Sequence, residues 1–279
     1  MTVSLLDYQK EAVKRALEQD NFLICMRAGG GKTFVAMFYA RYLLRHKKCD
    51  KIIIACTVSA AVAVRGEFKE KLGIDLPQYD DLDGFLGFLG GSGKICVIKH
   101  SMFEKVGYDL SIQKYLKTLK KNGLKVGIII DEVHKLQNAK GLEHMGFMNI
   151  RFLFDRILLM TATPYSSCLT QLYGIVHLIF PRLWSSLTAF KRDHVVEQQV
   201  KDKRGKIVRN EKIAYKNLKM LREKLKPFSF FHYPKIILKF FYHTVTLEDY
   251  SDYDAICKGV LTDAEARRVE DADNNSKTS

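Results

Sequence analysis

Five short apolar runs recur along the first part of the chain, and each is bounded by a turn or by a segment with helical spacing. The runs are Phe22 to Met26, Lys51 to Cys56, Ile95 to Lys99, Val126 to Ile130 and Arg156 to Met160. Such continuous Val, Ile and Leu runs are typical of strands in a parallel sheet, because both faces of that sheet are covered. The alternation of runs and helical segments therefore predicts an α/β fold in which helices lie on both faces of a parallel sheet.

Apolar residues at helical spacing predict the helices that connect these strands. The predicted helices before Pro164 span about Leu5 to Leu17, Val35 to Leu43, Ala60 to Leu72 and Ser111 to Lys121. Beyond Pro164 the pattern predicts two amphipathic helices, a basic helix that Pro227 ends, and a strand. These four elements span Leu169 to Phe180, Ser185 to Val196, Ile213 to Lys226 and Lys235 to Thr244.

Composition narrows the class of protein. The chain has 279 residues, 47% of them hydrophobic, which is enough for a packed core in one large or two smaller domains. Its six cysteines show no Cys/His spacing typical of a metal site, so we expect a reduced, intracellular, cytoplasmic protein without structural zinc. The start of the sequence lacks a secretory pattern, and no apolar run approaches the roughly 20 residues that a membrane-spanning helix needs. We therefore expect a soluble protein with no membrane partner.

Positive charge is concentrated in one segment. Between Lys191 and Lys239 there are fifteen Lys and Arg residues against five Asp and Glu residues, so this segment carries +10 of the net charge of +14. Such an excess favours a polyanionic partner, although a solvated helical face is an equally ordinary reading of a charge run. Four aromatic residues that follow the predicted basic helix are expected to be core rather than a base-stacking platform: Phe228, Phe230, Phe231 and Tyr233.

The glycine-rich segment CMRAGGGKTF, Cys25 to Phe34, follows the first predicted strand and leads into a predicted helix. The general phosphate-loop pattern has a glycine where this chain has Met26, so a glycine-rich turn is the competing interpretation. The strand, the glycines and the helix that begins with Lys and Thr nevertheless favour a loop whose backbone amides bind phosphates. This loop comprises Ala28, Gly29, Gly30, Gly31, Lys32 and Thr33, with the Lys32 ammonium on the phosphates and the Thr33 hydroxyl on Mg²⁺.

Two acidic residues follow the fourth apolar run, in the segment VGIIIDEVH from Val126 to His134. Ligands of parallel α/β sheets bind at the carboxyl ends of the strands, which is where these acids are predicted to lie. Asp131 suits coordination of the Mg²⁺ held by Thr33, and Glu132 suits the base that orients and activates a water molecule. The competing interpretation is an ordinary helix N-terminus, where acidic residues are common because they interact favourably with the helix dipole. The presence of Lys32 and Thr33 upstream favours the magnesium and water roles instead.

These segments together resemble the superfamily 2 helicases and, within them, the Snf2-like DNA translocases. LLDYQKEAV at 5–13 is similar to the opening motif of that family, MRAGGGKT to motif I, IIIDEVHKLQN to the DEAH form of motif II, and RILLMTATP to motif III. The resemblance implies that Gln9 recognises adenine and that Thr161 and Thr163 couple nucleotide state to nucleic-acid binding. His134 would link the ATP site to motif III, although a structural role for this lone histidine stays open.

The resemblance implies the first RecA-like lobe of an ATP-dependent motor that uses ATP and Mg²⁺ and binds nucleic acid, with double-stranded DNA favoured. It implies a RecA-like lobe over 1–180, a basic helical protrusion over 181–233, a returning strand over 234–246, and a linker helix with a disordered tail over 247–279. A second RecA-like lobe, in the full-length protein or in another chain, would supply an arginine to the ATP site. Weak hydrolysis is therefore expected of this chain alone.

Two departures from the family pattern lie outside these motifs. The arginine pair that follows the Pro-Phe element in the family is absent, with His232 and Tyr233 nearby. The segment IIIACTVSAAVAVRGEF resembles motif Ia, and in it Thr57 replaces the usual proline. A second hypothesis is a nucleic-acid-binding regulatory or interaction module that retains the fold without being a motor. The presence of Lys32, Asp131 and Glu132 together favours the motor.

Overall fold

The computed structural model describes residues 4–165, 168–201 and 207–233 of the chain. Its main feature is a seven-stranded sheet in which all neighbouring strands pair in parallel. In chain order these strands are β1 (Asn21–Met26), β2 (Lys51–Cys56), β3 (Gln78–Tyr79), β4 (Ile95–Lys99), β5 (Val126–Ile130), β6 (Arg156–Thr161) and β9 (Ser229–His232). Their spatial order is β3-β4-β2-β5-β6-β1-β9, so β5 lies at the centre.

Helices connect the strands and cover the sheet. They are α1 (Asp7–Leu17), α2 (Lys32–Arg45), α3 (Val58–Leu72), α4 (Leu82–Gly90), α5 (Met102–Val106), α6 (Leu110–Lys121), α7 (Leu142–Ile150), α8 (Thr170–Ile179), α9 (Leu187–His194) and α10 (Leu218–Leu225). Short 3₁₀ turns occur at Val133–Leu136, Arg151–Leu153 and Lys226–Phe228. Every residue of β2 and of β5 is buried, so both faces of the sheet centre are covered. This confirms the predicted RecA-like α/β arrangement, and all five predicted strands are present.

The region beyond α9 differs from its prediction. The segment between α9 and α10 forms an antiparallel hairpin of β7 (Val195–Lys201) and β8 (Ile207–Tyr215), so the predicted basic helix from Ile213 is wrong in its first part. The β-branched residues of these segments, Val in β7 and Val and Ile in β8, favour strands, whereas the prediction placed a basic helix from Ile213. The basic protrusion predicted over 181–233 is therefore not purely helical.

The end of the described chain also changes the predicted topology. Strand β9 lies within 181–233, yet it pairs in parallel with β1 and becomes an edge of the main sheet. Of the aromatic cluster predicted to be core, Phe228 and Phe230 are buried, whereas Phe231 and Tyr233 are 43% and 47% exposed. Residues 234–279 lie outside the described residues, and with them the predicted strand over 235–244, linker helix and tail. In the described part, no helix has the length and apolarity required to cross a bilayer.

A buried lysine ties the sheet to the loop after α4. Lys51 begins β2 and is 8% exposed. Its Nζ donates hydrogen bonds to the backbone carbonyls of Phe88, Gly91 and Gly93 at 2.9, 2.8 and 2.7 Å. Burial lowers the pKa of Lys51, and the three carbonyl acceptors satisfy all three ammonium donors. Lys51 therefore fixes the end of α4 against β2, which pairs with the central strand β5.

The substitution Lys51→Met tests this role. It keeps the buried aliphatic stem and leaves three carbonyl groups without their donor, so we expect the free energy of unfolding to fall by about 1–3 kcal/mol. The measurement is urea unfolding followed by circular dichroism, with Lys117→Met on the exposed side of α6 as the control. An equal, small effect of both substitutions would contradict the anchoring role of Lys51.

Candidate nucleotide site

The glycine-rich loop and the Asp-Glu pair meet at one edge of the sheet. The loop follows the end of β1 at Met26, and the acidic pair follows the end of β5 at Ile130. Parallel pairing aligns these ends through β6, which neighbours both strands. The predicted phosphate-binding residues and the predicted acids are therefore brought together, as ligand sites of parallel sheets require.

The loop has the backbone shape of a phosphate cradle. Gly29 and Gly31 adopt left-handed conformations with φ of 71° and 77°, and Gly31 directly precedes the first residue of α2. The Gly30 amide donates to the Arg27 carbonyl at 3.1 Å, which closes a tight turn. A Cβ atom at Gly30 would lie 3.0 Å from that same carbonyl oxygen. The glycines are thus needed for the loop itself, and the N-terminal amides of α2 are left for an anion.

Side chains of α1 hold the glycine-rich loop by hydrogen bonds to its backbone. The Gln9 Nε2 and the Tyr8 hydroxyl both donate to the Gly30 carbonyl, at 3.0 and 3.1 Å. Gln9 Oε1 accepts from the Leu6 amide at 2.9 Å. A Cβ atom at Gly31 would overlap Gln9 Nε2, so the glutamine occupies the space that any side chain there would need. The predicted adenine reader is therefore also a support of the loop.

Lys32 joins the loop to the acidic pair. Its side chain is buried, and Nζ lies 3.4 Å from Glu132 Oε1 and 3.5 Å from the Met26 carbonyl oxygen. Both contacts are long for charge-assisted hydrogen bonds, which are typically about 2.7–2.9 Å. The ammonium therefore keeps hydrogen-bonding capacity for an anion in the loop while it balances part of the carboxylate charge.

Asp131 is a buried acid held by its backbone. Its amide donates to the Ala55 carbonyl at 2.8 Å, and its carbonyl accepts from His100 Nε2 at 2.8 Å. Burial raises the pKa of Asp131 to about 6, with the nearby Glu132 charge acting in the same direction and Lys32 opposing both effects. A carboxylate that is costly to ionise by itself gains most from a cation beside it.

Glu132 is held in a strained conformation. Its φ of 48° is left-handed, which costs a non-glycine residue of order 1 kcal/mol. Its Oε2 atom is buried and makes no hydrogen bond to any described residue, although His134 Nδ1 lies 3.2 Å away. Its Oε1 faces Lys32. The carboxylate therefore lies between Lys32 and His134, at the position predicted for the residue that orients a water molecule.

The residues predicted to couple the site to motif III also meet. His134 Nδ1 lies 3.1 Å from Thr161 Oγ1, and the Thr163 amide donates to the same hydroxyl oxygen at 3.1 Å. These contacts connect the turn after Glu132 with the loop after β6. A change in the position of Glu132 can thus reach Thr163 through two hydrogen bonds.

Four residues that sequence reasoning did not assign to this site contact it or its supports. The His232 ring stacks on Tyr8 with centroids 4.1 Å apart and planes 5° apart, and the Tyr233 hydroxyl donates to the Ala162 carbonyl at 2.9 Å. His100 is hydrogen-bonded to the Asp131 carbonyl. Tyr8 adjoins Gln9 and could have been suspected, whereas the other three depend on how distant elements pack.

The donor set fits a magnesium nucleotide. Thr33 and Asp131 offer a hydroxyl and a carboxylate, and Mg²⁺ characteristically binds one or two such groups together with phosphates and water. No cluster of three or more His, Cys, Asp or Glu residues suited to a metal occurs within the described ranges.

Comparisons with known proteins agree with this arrangement. The sequence model of the DEAD/DEAH box helicase family matches residues 6–171, more than half of the chain. The chain is 27% identical over 187 residues to a SWI/SNF-related matrix-associated actin-dependent regulator of chromatin subfamily A-like protein 1 homolog from Caenorhabditis elegans, which covers 67% of this chain and 26% of that protein. It is 22% identical over 205 residues to chromodomain-helicase-DNA-binding protein 1 from Gallus gallus, which covers 69% of this chain and 12% of that protein.

A solved structure shares the fold. The Sulfolobus solfataricus SWI2/SNF2 ATPase core in complex with dsDNA superposes with a TM-score of 0.59 at 14% identity, covering 82% of this chain and 44% of that chain. The chain spans about a quarter or less of the length of the curated relatives it matches. The similarity therefore concerns one part of larger proteins.

The substitution Gly31→Ala tests the packing of the loop on Gln9. We expect it to lower the free energy of unfolding by more than the roughly 1–2 kcal/mol of a left-handed alanine, because Cβ would also overlap Gln9 Nε2. Gly73→Ala is the matched control, since Gly73 has φ of 67° and nothing lies within 4 Å of the position that its Cβ atom would take. Urea unfolding measures both. Equal losses, or no relief of the Gly31→Ala loss by Gln9→Ala, would contradict the overlap.

A second prediction concerns acid stability. Burial lowers the pKa of His100 to about 4, against about 6.5 for an unfolded histidine. The unfolded chain therefore takes up this proton first, so the contribution of neutral His100 is complete above pH 6.5 and is lost as pH falls towards 4. Between pH 7 and pH 5 the loss from this residue is about 2 kcal/mol.

His100→Gln provides the comparison, because its Nε2 can still donate to Asp131 while it does not titrate. We expect urea unfolding to show that the variant loses about 2 kcal/mol less than the native chain between pH 7 and pH 5. Other buried histidines titrate in both proteins and cancel in this difference. Identical losses would show that His100 is protonated in the folded protein.

Proposed function

Because this chain belongs to the DEAD/DEAH box helicase family, we propose that it is the ATP-binding first lobe of a Snf2-like, ATP-dependent DNA translocase or helicase. In this proposal it binds ATP with Mg²⁺ at the edge of the sheet and binds nucleic acid, with double-stranded DNA favoured. The family membership supports an ATP-dependent enzyme, and the residues at the sheet edge support the specific roles that follow.

Each residue has a role that its position suits. Lys32 contacts the β- and γ-phosphates, and the loop amides from Ala28 to Gly31 surround them. Thr33 and Asp131 would hold Mg²⁺, which would supply positive charge next to the phosphates. Glu132 orients and deprotonates the attacking water through its carboxylate. Gln9 recognises adenine. Its Nε2 uses one hydrogen on the Gly30 carbonyl and its Oε1 accepts once, from the Leu6 amide, so one amide hydrogen and one lone pair remain for the base.

The observation that carries the proposal is the contact between Lys32 Nζ and Glu132 Oε1 at 3.4 Å. It joins two residues about a hundred positions apart in the sequence, a separation on the scale of a whole small domain. The contact brings the phosphate-binding cation beside the water-activating carboxylate. His134, Thr161 and Thr163 then extend this unit by hydrogen bonds towards the segment that precedes α8.

Nucleic-acid binding is supported by charge and by the relative of known structure. The Sulfolobus solfataricus core contains dsDNA, and the basic segment from Lys191 onwards holds most of the excess charge of this chain. Contacts from lysine and arginine to phosphates are independent of base sequence, and they weaken as the salt concentration rises because the release of counterions then contributes less. We therefore propose phosphate contacts without base readout.

Efficient hydrolysis in this proposal needs a second RecA-like lobe, in the same protein or in another chain. The family resemblance assigns an arginine of that lobe to the ATP site, and an arginine of this kind contributes about 10³–10⁵-fold in related phosphoryl-transfer enzymes. We therefore propose that the 279-residue chain assayed alone binds nucleotide and hydrolyses it weakly.

The substitution Lys32→Ala tests the proposal. We expect the native chain to bind a fluorescent ATP analogue in the presence of Mg²⁺ and the variant to bind it at least about tenfold more weakly, because a charge-assisted contact of about 1.5–3 kcal/mol is lost. Fluorescence anisotropy measures nucleotide binding and, with labelled duplex DNA at several salt concentrations, DNA binding. Lys135→Ala is the control, since Lys135 is exposed and lies three residues beyond Glu132.

Three results would each contradict a part of this proposal. No nucleotide binding by the native chain would remove the proposed function. Salt-sensitive DNA binding that ignores both nucleotide and Lys32→Ala would favour the non-motor binding module. DNA-stimulated hydrolysis at the rate of a complete motor would show that the chain needs no second lobe.

A further inference from the structure

The peptide group between Gly30 and Gly31 depends on contacts outside the glycine-rich loop for its orientation. Gly31 has φ of 77°, and neither glycine has a Cβ atom that would restrict rotation of this peptide. Two donors on α1 hold its carbonyl oxygen, the Tyr8 hydroxyl at 3.1 Å and Gln9 Nε2 at 3.0 Å. These side chains of α1 therefore fix a peptide that the flanking glycines leave free to turn.

The orientation of this peptide decides which of its groups an anion meets. In a trans peptide the C=O and N–H groups point in opposite directions. Because α1 holds the Gly30 carbonyl on its own side, the Gly31 amide points away from α1, to the side on which the proposed function has the phosphates. If the peptide turned over, the carbonyl oxygen would face the phosphates instead and repel them.

Strand β9 positions the Tyr8 side chain. The His232 ring stacks on the Tyr8 ring with centroids 4.1 Å apart and planes 5° apart. His232 lies opposite Met26 in the pairing of β9 with β1, and Met26 is the last residue of β1 before the loop. The stack therefore joins the sheet, at the point where the chain enters the loop, to the phenol that holds the loop.

A separate set of contacts fixes the other end of α1 to the same segment. Arg15, in the last turn of α1, donates to the Lys226 carbonyl at 2.5 Å, and its guanidinium lies 5.9 Å from the centroid of the Phe230 ring. Tyr8 lies in the first turn of the helix. Because Arg15 still ties α1 to β9 without the stack, removal of the His232 ring should release the Tyr8 side chain without displacing the helix.

We propose that His232 is a positioning residue of the nucleotide site. Its ring holds Tyr8 where the hydroxyl donates to the Gly30 carbonyl, and this contact keeps the next amide directed at the phosphates. The inference rests on the proposed function, because it concerns the loop that the proposal places around the phosphates. A stacked aromatic pair favours its contact by about 2–12-fold, and one neutral hydrogen bond has a similar net effect, so nucleotide affinity should change on this scale.

The test uses the full chain with three substitutions. His232→Ala removes the ring that stacks on Tyr8, His232→Phe keeps a planar ring, and Tyr8→Phe keeps the stack but removes the hydroxyl. His46→Ala is the matched control. The His46 ring also lies 4.1 Å from a tyrosine ring, that of Tyr42, but it does so at the end of α2 opposite to the loop.

The first measurement is the affinity for a fluorescent ATP analogue in the presence of Mg²⁺. We expect His232→Ala and Tyr8→Phe each to weaken binding by about three- to tenfold, since each removes the same hold on the Gly30 carbonyl. His232→Phe and His46→Ala should stay within about twofold of the native chain. In the Tyr8→Phe background, His232→Ala should have no further effect on affinity, because the hydroxyl through which the ring acts is already gone.

The second measurement needs no nucleotide. In protein labelled with ¹⁵N-glycine, the backbone amide resonance of Gly31 reports the orientation of its peptide. We expect His232→Ala and Tyr8→Phe to shift this resonance along one line, because both populate the turned peptide. His232→Phe and His46→Ala should leave it close to its native position.

The outcomes separate this inference from the proposed function. Native affinity in His232→Ala, or an equal loss in His232→Phe, would overturn the role of the ring while the native chain still binds nucleotide. A full effect of His232→Ala in the Tyr8→Phe background, or an unchanged Gly31 resonance in His232→Ala, would also overturn it. A native chain that binds no nucleotide would overturn the proposed function, and this inference with it. If His232→Ala fails to fold, His232→Gln, which fills the space without a ring, takes its place.

Discussion

The parallel pairing of buried strands is the constraint on which the site depends. It places the carboxyl ends of β1, β2, β5, β6 and β9 at one edge, with Cys25 beside Thr161 and Ala55 beside Ile130 in the register. A shift of one residue in a pair would turn buried side chains to the opposite face, so the fully buried strands hold this alignment strongly. The glycine-rich loop, the acidic pair and the loop after β6 are neighbours for that reason.

The site combines rigid support with unsatisfied charge. Tyr8 and Gln9 hold the Gly30 carbonyl from α1, and His100 holds the Asp131 carbonyl from the end of β4. In contrast, Lys32 has only long contacts, and a carboxylate oxygen of Glu132 has no hydrogen bond within the described residues. Backbone groups are thus fixed while the charged side chains keep capacity for a ligand, which is the arrangement that electrostatic preorganisation requires.

Strand β9 brings two further side chains next to the site. Because it pairs with β1, His232 lies opposite Met26 in the register and stacks on Tyr8, while Tyr233 reaches the carbonyl of Ala162. The last described strand and the residue after it therefore contact both the support of the phosphate loop and the loop that follows β6. His232 and Tyr233 make these contacts through a stacked ring and a phenol hydroxyl.

The sequence alone determined the five central strands, the glycine-rich loop between β1 and α2 and the position of the acidic pair, because burial periodicity and glycine or acidic residues at strand ends are local patterns. Those patterns misassigned the two outer ends of the hairpin, because the predicted helices extended to Val196 and began again at Ile213, where β7 and β8 pair. Only the tertiary structure decided the pairing of β9 with β1 and the contacts of His100 and His232. These residues meet the site through the crossing of distant helices and strands, and no pattern within one segment encodes which side chains a crossing brings together.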